Sequence, residues 1–203
     1  MQVVGEHTGL SRYKKRAAQR LILGFEGTIF PTEMRNWKDL PAGYILFQRN
    51  IDSPEQVFEL NKVIQEFHPQ SIRSVDQEGG RVRRIKTTNW PRMRYVGKEN
   101  DLEKTKHLAT YMAEELLALG FTTNWAPICD VDSNPNNPVI GDRSFSNTSN
   151  EVSKHVVAFI KSMQNRGISC SAKHFPGHGD TDIDSHFDLP VVNKNRKDLD
   201  IIE

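Results

Sequence analysis

Between Lys173 and His186 the chain reads Lys-His-Phe-Pro-Gly-His-Gly-Asp-Thr-Asp-Ile-Asp-Ser-His, placing three histidines and three aspartates in fourteen residues. Side chains of these types do two kinds of chemistry. Imidazole nitrogen and carboxylate oxygen are good metal ligands, which would suit a metal-dependent hydrolase. A histidine beside a carboxylate is also a proton donor and acceptor near neutral pH, because the carboxylate favours the charged ring and fixes its orientation. Asp184 and His186 are two apart, so an extended backbone turns both side chains to the same side. The plain alternative, a surface loop with incidental histidines, sits poorly with this density of titratable groups. The stretch is Gly-rich and has no apolar anchor between Gly177 and Thr181, which predicts a mobile loop.

Two further polar clusters have the same placement, directly after an apolar run. Asp76 lies in Val75-Asp76-Gln77-Glu78-Gly79-Gly80-Arg81, and Asp130 and Asp132 close the run that begins at Thr123. Lys173 and His174 follow the run Ile168 to Ala172. In parallel α/β folds the C-terminal ends of strands share one face, so residues distant in sequence converge there.

The elements that must position them alternate. Short apolar runs at Arg20–Phe25, Gly43–Phe47, Ser71–Val75, within Thr123–Val131, and at Ile168–Ala172 read as strands. Ser53-Pro54-Glu55-Gln56 is a helix start with a capping box, followed by Val57, Leu60, Ile64 and Phe67 on one face. Asn100 with Glu103 reads as a second cap before Leu102, Leu108, Met112 and Leu116, with Gly120 as the stop. Thr148 with Glu151 opens a third helix, whose stripe is Val152, Val156, Phe159, Ile160 and Met163, ending at Gly167. Lys194 to Glu203 reads as the start of another helix. Near-continuous apolar strands alternating with helices mean a parallel sheet, either doubly wound or a (β/α)8 barrel. No Gly-x-Gly-x-x-Gly or Walker loop favours a nucleotide fold.

Bulk properties narrow the function classes. A formal net charge of +1 and 36% hydrophobic residues give no sign of a nucleic-acid or membrane partner. No apolar run approaches the roughly 20 residues of a membrane span, and Met1 to Val4 is too short for the apolar core of a signal peptide, so the expected compartment is the cytoplasm. Cys129 and Cys170 lie in apolar runs and read as buried thiols. Lys14, Lys15, Arg16 and Arg20 read as the solvated face of a lead-in helix rather than an anion site.

With these residues assembled, the chain resembles glycoside hydrolase family 3, in particular its bacterial β-N-acetylglucosaminidases (β-hexosaminidases) of cell-wall recycling. The pieces that carry the resemblance are LILGFEG, GYILFQRNI, SVDQEGGRVRRI, NWAPICDVDSNPNNPVIGDRSFS and SAKHFPGHGDTDIDSHFDLP, in that order from Leu21 onward. The resemblance implies a (β/α)8 TIM-type barrel, with about five of its eight β/α units in residues 20–203 after a basic lead-in over 1–19. It implies a retaining glycosidase acting on N-acetylglucosamine glycosides such as muropeptides, with no cofactor and no metal. Asp76, Arg84, Arg143, Lys173 and His174 would bind the sugar. His186 would be the general acid/base with Asp184 as its partner, and His178 and Asp180 would shape the loop. The family's nucleophilic aspartate follows the sixth strand, downstream of Glu203, which leaves Asp130 and Asp132 as supports of the site. On this reading the chain by itself is a truncated barrel. It would be either an incomplete catalyst or an inactive sugar-binding fragment. A phosphorylase variant would share the same His–Asp loop.

Overall fold

A computed structural model describes residues 7–184, 186–192 and 194–202. The signal-peptide reading of Met1 to Val4 therefore lies outside the described residues. Five parallel strands form one sheet: β1 (Ile22–Leu23), β2 (Gly43–Leu46), β3 (Ile72–Val75), β6 (Thr123–Asn124) and β7 (Ser169–Cys170), in the spatial order β1-β2-β3-β6-β7. Each strand neighbours its predecessor along the chain in this sheet, with Gly43 opposite Ile72, Ser74 opposite Thr123 and Thr123 opposite Ser169. That order separates the two folds left open by the strand pattern. A doubly wound sheet reverses direction partway, whereas a barrel adds every strand on the same side. The chain therefore forms five consecutive strands of a (β/α)8-type barrel. Between β3 and β6, two short strands, β4 (Gln77–Gly79) and β5 (Val82–Arg83), make an antiparallel hairpin.

Helices α1 (His7–Ala18), α2 (Thr32–Arg35), α3 (Pro54–Phe67), α4 (Met93–Lys98), α5 (Leu102–Ala118), α6 (Ser149–Asn165) and α7 (Arg196–Ile202) complete the described elements. Ser53 caps α3, its Oγ accepting the Gln56 N–H at 3.2 Å. The returning bond of the expected capping box runs instead from the Asp52 N–H to Gln56 Oε1 at 2.9 Å, and Gln56 Nε2 reaches the Thr28 carbonyl at 2.8 Å. The cap of α5 is Asp101 rather than Asn100: the Asp101 carboxylate accepts from the Glu103 and Lys104 N–H groups, while Asn100 takes a left-handed φ of 49° just ahead of it. Two cap-forming residues stood side by side, and the one with the charge opposite to the helix dipole holds the position. Gly120, with φ of 82°, lets the chain leave α5 in the left-handed conformation.

The core lies between the sheet and the helices. Tyr44, Leu46 and Val75 from the strands meet Val57, Leu60 and Ile64 from α3, Met112 and Leu116 from α5, and Phe159 and Met163 from α6. Phe30 packs edge-on to Phe25 and Tyr44 at 5.7 and 5.1 Å. Among the described residues no helix is long and apolar enough to cross a membrane. Leu116 is fully buried, whereas its neighbour Leu117 is 41% exposed. Leu116→Ala is therefore expected to cost about 2–5 kcal/mol in urea denaturation and Leu117→Ala no more than about 0.5 kcal/mol. Equal losses would place the α5 core face elsewhere.

Candidate active site

Strand ends β3, β6 and β7 deliver the polar residues to one edge of the sheet. Asp76 directly follows β3, and the hairpin that starts at Gln77 turns the chain back over it. Gln77 is buried and fastens this hairpin internally, its Oε1 accepting the Arg84 and Ile85 N–H groups at 2.8 and 3.1 Å. Asn124 at the end of β6 exchanges two bonds with the backbone of Gln77, at 3.0 and 2.9 Å. Lys173 lies just past β7, where its backbone bridges to Ile128.

At the centre is a carboxylate that sequence reading passed over. Glu78 is 2% exposed and lies between two cations. Arg143 grips it with both ends of its guanidinium, Nε to Oε2 and Nη2 to Oε1, each at 2.9 Å. Lys173 Nζ reaches Glu78 Oε1 at 2.7 Å and Asp76 Oδ1 at 2.7 Å. Arg84 Nη2 stands 3.6 Å from Asp76 Oδ2. Burial alone would lower the Arg143 pKa, but the Glu78 hydrogen bonds and charge outweigh it and hold it above the ordinary value. The signal for Glu78 was present: an acid directly before Gly-Gly in a strand-like run is either the end of the run or a buried partner for a cation. The Gly-Gly was equally a hairpin signal, with φ of 103° and 56° at Gly79 and Gly80.

His174 is held beside this cluster by Asp130. The Asp130 carboxylate, almost fully buried, accepts His174 Nδ1–H at 2.7 Å, the His174 backbone N–H at 3.1 Å and the His178 backbone N–H at 2.8 Å. Burial would raise its pKa, but the hydrogen bonds and charge of His174 and the two backbone donors together bring it below the ordinary value. Asp132 is likewise engaged, paired with Arg94. Ser144 joins the two anchors, its hydroxyl donating to the Asp130 carbonyl at 2.6 Å one residue after Arg143.

Asp184 and His186 stand apart from this group. His186 Nδ1–H and its backbone N–H both reach Asp184 Oδ1, at 2.7 and 2.9 Å, and these two bonds, the backbone one first, lower the Asp184 pKa. The His186 side chain is 81% exposed. With Nδ1–H given to Asp184, Nε2 is the atom left to exchange a proton with a ligand. So the structure brings Asp76, Arg84, Arg143, Lys173 and His174 together, and pairs Asp184 with His186 on the loop that follows. His178 and Asp180 bond within the protein, to Thr181 and to Ser133 and Lys194. Among the described residues no group of three or more His, Cys, Asp or Glu is arranged to hold a metal ion. Segment 177–181 is less free than its glycines implied. His178 and Thr181 are buried, and a Cβ on Gly179 would stand 1.6 Å from the Val131 carbonyl oxygen. Its anchors are polar, which a search for apolar anchors does not find.

Residues 32–203 match the model of the glycosyl hydrolase family 3 N terminal domain. Beta-hexosaminidase A of Pseudoalteromonas piscicida is 40% identical over 168 residues, which cover 76% of this chain and 28% of that protein. Beta-hexosaminidase of Pseudomonas aeruginosa is 36% identical over 184 residues, covering 88% of this chain and 55% of that one. A solved glycoside hydrolase family 3 beta-N-acetylglucosaminidase from Paenibacillus sp. superposes with a TM-score of 0.88 at 36% identity, over 93% of this chain and 38% of that structure. The chain thus spans little more than half, or less, of the length of these relatives.

Two outcomes follow from the charges. Glu78→Gln takes from the half-buried Arg143 its bidentate counter-charge and leaves Lys173 only Asp76, and is expected to destabilise by about 3 kcal/mol in denaturant titration. A loss under about 1 kcal/mol would show that water reaches the cluster. Asp130 titrates below its ordinary value of 3.8 in the folded state, so the unfolded chain binds the proton first as the pH falls. Its contribution is complete above that value and is lost as the pH falls through the folded pKa. Thermal unfolding followed below pH about 4 should therefore show a shallower acid slope in Asp130→Asn than in the parent. Identical slopes would remove Asp130 from the acid response.

Proposed function

This chain belongs to glycosyl hydrolase family 3, and from that membership we propose that it is the sugar-binding and acid/base part of a retaining β-N-acetylhexosaminidase. The single observation that carries the reading is the fixed-charge cluster of Asp76, Arg84, Arg143 and Lys173 at the strand ends, followed along the chain after Lys173 by the Asp184–His186 pair. Asp76 has one oxygen close to Lys173 and the other only loosely approached by Arg84, so it has acceptor capacity for sugar hydroxyls. Arg143, Lys173, Arg84 and His174 supply donors that neutral sugar oxygens satisfy. The substrate class is a glycoside of β-N-acetylglucosamine, and we assign it to cytoplasmic muropeptides.

His186, protonated, would give its Nε2 proton to the leaving glycosidic oxygen as the C–O bond breaks. Neutral after that step, it would take a proton from the water that attacks the glycosyl-enzyme. Asp184 would hold the ring orientation through both steps. The anomeric carbon needs a carboxylate on its other side to form that intermediate. Asp130 is spent on His174 and His178 and Asp132 on Arg94, which supports a nucleophile from sequence beyond Glu203.

The test compares hydrolysis of an aryl N-acetyl-β-glucosaminide by the 203-residue chain and by the full product of its gene. Hydrolysis is expected in the full product. None there would overturn the reading, and equal turnover by the short chain would move the nucleophile to Asp130 or Asp132. In an active protein, His186→Ala should lose about 100-fold or more in kcat/KM with an alkyl leaving group and far less with an activated aryl one, since only the former needs the proton. Equal losses would remove His186 from the acid role.

A further inference from the structure

The turn that presents Arg143 and the loop that leads to Asp184–His186 come from different βα connections and have no shared strand to register them. One side chain touches both. Asn137 Oδ1 accepts the backbone N–H groups of Val139 and Ile140 at 2.8 and 2.7 Å, which sets the start of the 3-10 turn Gly141–Arg143. Its Nδ2 faces the carbonyls of His178, Thr181 and Gly179 at 2.7, 2.9 and 3.2 Å. An amide nitrogen has two hydrogens, so the His178 and Thr181 carbonyls are the natural recipients and Gly179 the weaker third. The surroundings also fix which end of the amide is which. Two N–H groups meet the oxygen and three carbonyls meet the nitrogen, and a flipped amide would set like against like at each of these five contacts, leaving aside the Thr181 hydroxyl at 3.2 Å.

We propose that Asn137 is a positioning residue that holds the His-bearing loop against the Arg143 turn and so sets the distance between the sugar-binding and acid/base halves of the site. The proposal rests on the functional reading above for what those halves do, but not for the coupling itself. His178 to Thr181 is one closed unit, with Thr181 Oγ donating to the His178 carbonyl at 2.9 Å and His178 Nδ1 2.5 Å from the same hydroxyl. Asp130 holds the front of the unit through the His178 N–H, and Asn137 holds both its ends. Thr181 is also the last buried residue before Asp184. The chain leading to Asp184 and His186 therefore departs from a point that Asn137 fixes. Ser133 and Asn134 touch the same loop, at Asp180 and Thr181, and their side chains make no hydrogen bond to the Val139–Arg143 turn among the described residues. Arg81 also holds that turn, through the Val139 and Ile140 carbonyls and Asp142.

The amide has two functional ends, so one isosteric change separates them. Asn137→Asp keeps an acceptor for the Val139 and Ile140 N–H groups and replaces the donor by an oxygen facing carbonyls. Hydrogen exchange of the 203-residue chain, resolved by residue, reads both sides. In Asn137→Asp the His178 and Thr181 amides should exchange about tenfold faster or more while Val139 and Ile140 stay within about twofold of the parent. In Asn137→Ala both pairs should loosen. Loop amides at the parental rate in Asn137→Asp, or turn amides loosened as much as the loop, would overturn the proposal. Should Asn137→Ala fail to fold, the isosteric variant alone decides. In the full gene product Asn137→Asp should lower kcat about tenfold on an alkyl glycoside with KM within about twofold, since sugar binding at Arg143 is kept. A rise in KM with kcat unchanged would overturn the positioning role. Absence of any glycosidase activity in the parent would refute the functional reading and leave the exchange result to decide the coupling.

Discussion

A carboxylate that water barely reaches cannot stay ionised without cations against it, and Glu78 meets this condition with two. Its hairpin, the turn ending in Arg143 and the stretch after β7 each carry one member of the group. The geometry is one that an ion pair enforces more sharply than apolar contact can: a bidentate guanidinium has a plane and a direction, and an apolar side chain has neither. Its effect on Asp76 is as important. With Glu78 taking the fork of Arg143, Asp76 is left with an oxygen, Oδ2, that among the described residues Arg84 approaches at 3.6 Å. The buried acid absorbs the cations so that the less buried one keeps capacity for a ligand.

Asp130 repeats this logic with hydrogen bonds in place of a fork. It sits deep beneath the end of β7, and donors from His174 and His178 hold it ionised against burial. The two anchors are joined through Ser144, which follows Arg143 and bonds the Asp130 carbonyl. Phe145 then ties the same segment to the helical layer, buried and stacked at 5.1 Å on His155 of α6. A path therefore runs from the core helices through Phe145 and Ser144 to both charged groups. Packing between α6 and the sheet thus has a direct bearing on where Arg143 stands.

What was legible in the sequence follows the kind of interaction that made it. Strand positions were readable because apolar runs mark burial, and the start of α3 because Ser53 and Pro54 have fixed roles at a helix N-terminus. The barrel-like strand order was not readable from those runs, since a doubly wound sheet would use the same ones. The ordered motifs supplied it by resemblance, and the sheet order agrees. Asp76, Lys173 and His174 could be nominated because they follow strands. Glu78 escaped because it is one residue inside a hairpin, where an acid looks like an ordinary turn residue until its partners, far along the chain, are in place. Asn137 escaped for a related reason: an Asn-Asn-Pro stretch reads as loop chemistry, and nothing local shows that its amide spans two loops. The shift of the α5 cap from Asn100 to Asp101 is the smallest of these differences and purely local.

The division between fixed and exchangeable charge is itself an argument about mechanism. A group that gives up a proton in one half of a reaction and recovers it in the other must sit where both of its charge states are tolerated. Arg143 is the opposite case, since its surroundings hold it protonated. In the proposed acid/base role the Asp184–His186 pair would meet the requirement by exposure: the His186 side chain is open to water, while the Asp184 carboxylate, kept ionised by the bonds it accepts, holds Nδ1 and leaves Nε2 facing outward from that bond. Exposure alone would leave such a pair without a defined place relative to the sugar. On the proposed function, the anchored unit from His178 to Thr181 would supply that place, because it ends in buried, hydrogen-bonded backbone only a few residues before the pair begins. Rigid support up to Thr181 and a solvated tip beyond it are then what the proposed role of His186 would require, a proton donor that is positioned by the protein and recharged by water.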